Sequence, residues 1–447
     1  MSSIIFLPGI LGSKLYLGEE EIWPPTAWEA TGGGYDRMEK LSDPNAFAGQ
    51  PIESVLCFKF YEQIISDLQD IASGNASAPP SSFHSFGYDW RIDLRDIAEI
   101  IVRRIDALPD GDKNEISFVA HSMGCLVVRL ILESKLYENK PWFNNIKSFI
   151  ALAGPHLGSP TALVRAMGLE GVTSLSPSDV KNFAANPDFP SIYQLFPAPG
   201  IVTAWDTRSG AMDKLDIYDH NTATRLGLNL GNLKKAKEVH QTLANNQRPA
   251  HVDYVYLAGS GNDTWSRVDI IGAQKFPRKG KDTGDGTVPL WSSVNPTQLN
   301  HAAPATHDKV FRNDQIRNLL YRSLGATPPV SAFSNRAGKP FVSLFAVHTI
   351  YATNTPIELM IIPLKPTTDI SGQLNIEYSN CSPPTAFVPK DTININYKGP
   401  KVEHIKIRIN DLTEIGFYKI SFNGSHATAD NGEAMFGISN TDGGVRD

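Results

Sequence analysis

Ile116-Ser117-Phe118-Val119-Ala120-His121-Ser122-Met123-Gly124 is an apolar run that stops at a serine, and Leu126, Val127, Leu130 and Ile131 follow it at helical spacing. The stretch reads as a buried strand that turns at Ser122 straight into a helix. Such a turn lifts the hydroxyl clear of the sheet edge and aims the next N–H into the same space, the layout of a nucleophile elbow. A serine hydroxyl is a weak nucleophile until a base and an oxyanion site act on it together, so the rest of the chain must supply both. The usual pattern is G-x-S-x-G; here Ala120 stands at the first glycine and Gly124 keeps the second. Alanine is the least disruptive replacement where crowding, and not a backbone angle, demands a small residue.

Around the elbow, apolar strand-like runs at Ile4–Leu7, Phe149–Ala153 and Val252–Ala258 alternate with helical stripes. One stripe is Tyr61, Ile64, Ile65, Leu68 and Ile71; a second is Leu94, Ile97, Ile101, Ile105 and Leu108; a third is Ile316, Leu319, Leu320 and Leu324. This alternation predicts an α/β fold with a mostly parallel sheet, an α/β-hydrolase domain over 1–326. Between about 160 and 245 the pattern loosens into short helices with Pro, Ser and Asn at the joins, which predicts a cap over the site. Thr327-Pro328-Pro329 opens a linker over 327–332. Beyond it Ile357/Leu359/Ile361, Leu374/Ile376/Tyr378, Ile405/Ile407/Ile409 and Tyr418/Ile420/Phe422 alternate with period two. These predict an antiparallel β-sandwich over 333–447, immunoglobulin-like in kind.

Composition narrows the function. A chain of 447 residues is long enough for two domains, and 41% hydrophobic with 20% charged residues is globular composition. The net charge of −6, without a long Lys/Arg run, excludes a nucleic-acid partner. Cys57, Cys125 and Cys381 are odd in number and lack metal-ligand spacing, which predicts a reducing compartment, no disulfide framework and no bound metal. No apolar stretch reaches the ~18 residues of a membrane span. The Ile4-Ile5-Phe6-Leu7-Pro8-Gly9 run lacks a basic segment before it and reads as a core strand, not a leader. The expectation is a cytoplasmic protein, peripheral at membranes or exported without a classical signal peptide.

An acid and a base should follow the nucleophile in that order. Asp285 sits in Lys281-Asp282-Thr283-Gly284-Asp285-Gly286-Thr287-Val288-Pro289, where flanking glycines allow a tight loop that aims a carboxylate at an imidazole. Asp-Gly pairs also make plain surface turns; the position after a late strand favours the acid. For the base there are two candidates, His307 and His301. His307 immediately precedes the last helical stripe of the large domain and is preferred; His301 lies in an Asn-His-Ala-Ala-Pro stretch read as flexible. His84, His121 and His156 read as structural or close to substrate. The oxyanion site needs converging N–H groups: one is Met123, directly after the serine, and the other belongs in the Phe6–Ser13 loop, whose two glycines let backbone approach a substrate oxygen.

Five separated motifs then occur in one order: Leu7-Pro8-Gly9-Ile10-Leu11-Gly12-Ser13, Tyr88-Asp89-Trp90-Arg91, Ala120-His121-Ser122-Met123-Gly124, Ala153-Gly154-Pro155-His156-Leu157-Gly158-Ser159 and Gly284-Asp285-Gly286-Thr287-Val288-Pro289. Together they resemble the lecithin:cholesterol acyltransferase family of α/β-hydrolases, with its phospholipases and acyltransferases, over residues 3–325. The resemblance implies Ser122 as nucleophile, Asp285 as acid, a following histidine as base, and Leu11 with Met123 as oxyanion donors. It implies acyl esters of lipids as substrates and neither metal nor cofactor. Trp23, Trp90 and His156 become the candidates for residues beside the substrate.

The chain departs from the family's secreted members, which close an early membrane-contacting loop with a disulfide. Trp23-Pro24-Pro25-Thr26-Ala27-Trp28 has no such cysteine pair. Its tryptophans suit a half-wet lipid surface or packing against the cap. The expectation is a serine hydrolase of lipase or phospholipase A type working through an acyl-enzyme. The alternatives are an O-acyltransferase using another alcohol, and a binding module on a hydrolase fold. The β-sandwich would serve a protein partner or a lipid surface.

Overall fold

Continuous apolar runs with no polar face can only be buried on both sides, and the central strands are. The structure is a computed structural model that describes the chain except residues 1, 27, 30–33, 56–57, 77, 209–211, 246, 295–298, 329–341, 347–349, 364–366, 381–386, 403, 425–432 and 440–447. Most of the expected 327–332 linker, Cys57 and Cys381 lie outside the described residues. Six strands form the central sheet: β1 (Ser2–Leu7), β2 (Ser81–Ser85), β3 (Glu115–His121), β4 (Ile146–Leu152), β5 (Asp253–Ser260) and β6 (Leu299–Pro304). Their order is β2-β1-β3-β4-β5-β6, and every neighbouring pair is parallel.

Alternate residues of each strand feed opposite cores. Ile5, Leu7, Phe118, Ala120, Phe149 and Ala151 enter one core with helices α2 (Leu94–Asp106) and α3 (Met123–Glu133). Ile4, Phe6, Val119, Ile150, Val255 and Leu257 enter the other with α1 (Glu62–Ala72) and α4 (Asp314–Ser323). The three helical stripes read from sequence are the core faces of α1, α2 and α4. At ~1.5–3 kcal/mol for each fully buried aliphatic side chain, these faces and not helix propensity hold the helices in place.

Two sheet strands were not read from sequence. β2 is Ser-Ser-Phe-His-Ser, too polar to stand out, and it forms an edge. β6 includes His301: the stretch expected to be a flexible loop pairs residue for residue with β5, Leu257 opposite His301, because the sheet edge supplies the hydrogen bonds that its composition does not advertise.

The chain runs from β1 outward to β2 and then returns past β1 to β3. The order therefore reverses between β1 and β3, the kind of switch point beside which an open α/β sheet places its site, at the carboxyl ends of the strands. Between β4 and β5 the chain forms the helices Pro160–Ala166, Pro177–Ala185 and Leu230–Ala244 and the short strands Ala204–Asp206 and Asp213–Leu215. These short strands join a long hairpin, Asn262–Ile271 and Gln274–Gly284, in a four-stranded sheet. The hairpin, between β5 and Asp285, lies outside the 160–245 stretch but pairs with its short strands; its second arm is rich in Lys and Arg and has no continuous apolar face to betray it.

The tail is the expected β-sandwich. Val342–Ala346, Ile357–Pro363 and Ile405–Ile409 form one sheet; Ile350–Ala352, Glu433–Ser439, Gly416–Gly424, Thr367–Ser379 and Val388–Val402 form the other. All pairs are antiparallel except that of Ile350–Ala352 with Glu433–Ser439. The alternating residues Ile357, Leu359, Ile361, Leu374, Ile376, Tyr418, Ile420 and Phe422 meet in one core. Among the described residues no helix is long and apolar enough to cross a membrane.

Candidate active site

Ser122 occupies the single residue between β3 and α3, with φ 53° and ψ −124°. A side chain at positive φ is strained, and here the strain is held by the sheet: Ser122 N–H donates to Leu152 O at 2.9 Å. Gly124 lets α3 start against the end of β1, since a Cβ there would lie 2.5 Å from the Pro8 carbonyl oxygen. Ala120 has no such neighbour problem. Its methyl points into the α2–α3 core, so the position tolerates what Gly124 cannot.

Asp285 follows the long hairpin, and His307 follows β6. His307 Nε2 lies 2.8 Å from Ser122 Oγ, and His307 Nδ1 lies 2.8 Å from Asp285 Oδ2. The other carboxylate oxygen accepts the N–H groups of Thr287 at 2.9 Å and Val288 at 2.7 Å. His307 N–H donates to the Asp285 carbonyl at 2.9 Å, so the two loops are tied at the backbone as well. Asp285 is buried, which strengthens its pull on the imidazole. A hydroxyl, an imidazole and a buried carboxylate in this sequence can pass one proton from serine to histidine and hold the resulting cation.

His301, the alternative base, is not brought to the serine; its Nε2 faces Gln315 Oε1 at 3.3 Å on the sheet edge. Met123 opens α3, where a first-turn amide has no acceptor inside the helix. Leu11 sits at positive φ, 62°, in the loop after β1. That loop runs against the nucleophile: a Cβ on Gly9 would be 2.8 Å from Ser122 Cβ.

Aromatic side chains clamp the loop at successive backbone groups. Tyr88 Oη donates to the Pro8 carbonyl, Gly9 N–H donates to Tyr61 Oη at 2.8 Å, and Trp23 Nε1 donates to the Leu11 carbonyl at 2.8 Å. Trp23 and Trp90 are thus buried props, stacked edge-on at 5.5 Å, and Trp90 Nε1 reaches the Ser13 carbonyl. Of the two early tryptophans only Trp28 is exposed, at 72%. Arg91 completes the Tyr88–Arg91 motif from inside the protein, pairing with Asp89 and donating to the carbonyls of Leu41, Asp43 and Ala46. His156 is buried against Tyr256 with ring centroids 4.6 Å apart. Tyr61, read from sequence only as part of a helical stripe, is the polar contact that reading missed; a tyrosine heading an otherwise aliphatic stripe was its one signal.

Residues 60–227 match the family model described as Lecithin:cholesterol acyltransferase. That span contains the Tyr88–Arg91, Ala120–Gly124 and Ala153–Ser159 motifs, so the resemblance read from the motifs holds there. Among solved structures the chain is similar to one from the Tle4–Tli4 complex, with 14% identity, a TM-score of 0.51, and coverage of 72% of this chain and 98% of that one. It is also similar to the mature lipase BlEst2 of Bacillus licheniformis, with 13% identity, a TM-score of 0.36, and coverage of 72% and 91%. The lin2722 gene product of Listeria innocua gives 10%, 0.32, and coverage of 74% and 96%. No curated protein sequence matches.

Proposed function

We propose that the chain is a serine hydrolase that cleaves acyl esters of lipids through an acyl-enzyme. The observation that carries this reading is the unbroken chain from Ser122 Oγ through His307 to Asp285, 2.8 Å at each step, at a strained strand-to-helix turn. Ser122 Oγ attacks the acyl carbonyl as His307 Nε2 takes its proton, and Asp285 stabilises the imidazolium through Nδ1–H. The amides of Met123 and Leu11 take the oxyanion. Collapse expels the alcohol, which leaves with the proton from His307. Water, deprotonated by the same imidazole, then attacks the ester on Ser122 and releases the fatty acid and the free serine.

Lipid as the acyl donor is supported by the family match over residues 60–227. The same match, to a family named for acyl transfer, favours a second reading in which another alcohol takes the place of water in the last step. Incubating the protein with phospholipid, triacylglycerol and a p-nitrophenyl ester, then identifying the released products, tests both. Ser122→Ala should lower turnover by at least ~10³-fold. Equal turnover in the two proteins would sink the enzyme reading. A long-chain alcohol that diverts the acyl group into a new ester would favour transfer.

A further inference from the structure

Tyr61 and His121 lie directly behind the Ser122–His307 pair, and the reaction just described gives neither a task. Both are buried, 6% and 5% exposed. Tyr61 is the residue before α1, and His121 is the last residue of β3, so the packing of α1 on the sheet brings them together. His121 Nδ1 lies 2.8 Å from Tyr61 Oη, which lies 2.8 Å from the Gly9 amide nitrogen. On its other side His121 Nε2 lies 3.0 Å from the carbonyl oxygen of His307.

The two ends of this chain fix every proton in it. A carbonyl only accepts, so His121 Nε2 carries hydrogen and donates to His307. An amide N–H only donates, so Gly9 gives its hydrogen to Tyr61 Oη, and the tyrosine hydroxyl is left to donate to His121 Nδ1. That nitrogen can accept only if the ring is neutral. Burial, with the neighbouring His307 adding to it, keeps it so by pushing the His121 pKa down to about 3. Donors and acceptors are each used once, and the direction is the same throughout.

We infer that Tyr61 and His121 form a positioning relay that holds the loop after β1 and the loop after β6 in one register about Ser122. The inference rests on the roles proposed for Ser122 and His307. The two loops leave strands on opposite sides of β3, with β4 and β5 between β3 and β6. The relay crosses that gap through the residue that immediately precedes the nucleophile. One loop offers the Leu11 oxyanion amide and the other the base, and both must be correct at the same moment. A misplacement of about 1 Å costs on the order of 10²-fold in rate. Both side chains are buried and spend their polar atoms within the relay, so it should act on turnover and not on binding.

Tyr61→Phe tests this, because it removes one hydroxyl and keeps the ring against Phe6 and Phe311. The probes are a p-nitrophenyl ester for steady-state kinetics and a fluorophosphonate for covalent labelling of Ser122. Tyr61→Phe should lower kcat by roughly 10- to 100-fold with KM within about twofold, and slow labelling in step. His121→Gln, which keeps a donor toward the His307 carbonyl, should retain more activity than His121→Leu. Combining Tyr61→Phe with His121→Leu should cost no more than the histidine change alone. If His121→Leu does not fold, the kcat and labelling rate of Tyr61→Phe decide alone. Labelling of Tyr61→Phe at the wild-type rate, or additive losses in the double variant, would overturn the relay and leave the roles of Ser122 and His307 standing. Undiminished hydrolysis by Ser122→Ala would overturn those roles, and the relay with them.

Discussion

At Asp285 a single carboxylate performs two tasks on two oxygens. Oδ1 is held by the amides of Thr287 and Val288, and that fixes Oδ2 toward His307 Nδ1. Asp285→Asn is nearly isosteric and should still be nearly inactive. If its amide nitrogen faces His307, Nδ1 must become the acceptor, Nε2 carries hydrogen, and Ser122 loses its base. If it turns round, its N–H₂ meets the Thr287 and Val288 donors in a buried site, which costs ~1–3 kcal/mol. We expect kcat to fall on the order of 10⁴-fold, with melting temperature changed by only a few degrees. Steady-state kinetics with thermal melting checks this, and a variant within tenfold of wild type would contradict it.

Helix α3 shows why local preference is a poor guide at the site. Alanine is favoured over glycine inside a helix by ~0.8–1.0 kcal/mol. Gly124→Ala should nevertheless destabilise the protein, because the new methyl would sit 2.5 Å from the Pro8 carbonyl and 2.9 Å from that of Leu7, both backbone atoms that cannot swing away. Overpacking of this kind costs ~1–3 kcal/mol, enough to reverse the sign, and the displaced Pro8 carries the oxyanion loop with it. Denaturant unfolding and ester turnover should both fall; a stabilised, active variant would refute the close approach. The elements that could be read from sequence are those whose signal is their own. The helical stripes, the β3–Ser122–α3 turn and four tail strands all bury a periodic apolar face, and Ser122, Asp285 and His307 follow strands in a fixed order. β2, β6 and the hairpin before Asp285 are polar or irregular segments paired by a neighbour's hydrogen bonds, which no local pattern encodes, whereas Val388–Val402 does alternate at Ile393, Ile395 and Tyr397. Trp23 and Tyr61 were visible as residues, but their loop-clamping contacts span 12 and 52 positions of chain and exist only after folding.

Across the molecule, burial of histidine sets how the fold responds to acid. His121 is pushed down to about 3 and His240 to about 4, and His156 well below its ordinary value, in each case first by burial. Arg129 and Arg248 add to the depression at His156. An unfolded histidine titrates near ~6.5, so between that pH and the folded values the unfolded chain holds more protons. Stability is therefore complete above about pH 7 and is lost as pH falls from ~6.5 through the folded pKa values. Each histidine contributes at most ~1.4 kcal/mol per pH unit, so the three together set a ceiling near 4 kcal/mol per unit. Against a typical total of ~5–15 kcal/mol this begins to unfold the α/β part before most carboxylates protonate. All three histidines lie before the tail, so the acid-sensitive transition should be that of the α/β part. Urea melts at pH 7.5, 6.5 and 5.5 should show a midpoint that falls slightly between the first two and steeply at the third. His240→Gln, which removes one of the three protons and can still reach the Phe196 carbonyl, should flatten that drop by about a third. A midpoint constant down to pH 5 would mean that these rings are protonated, or exposed, in the folded protein.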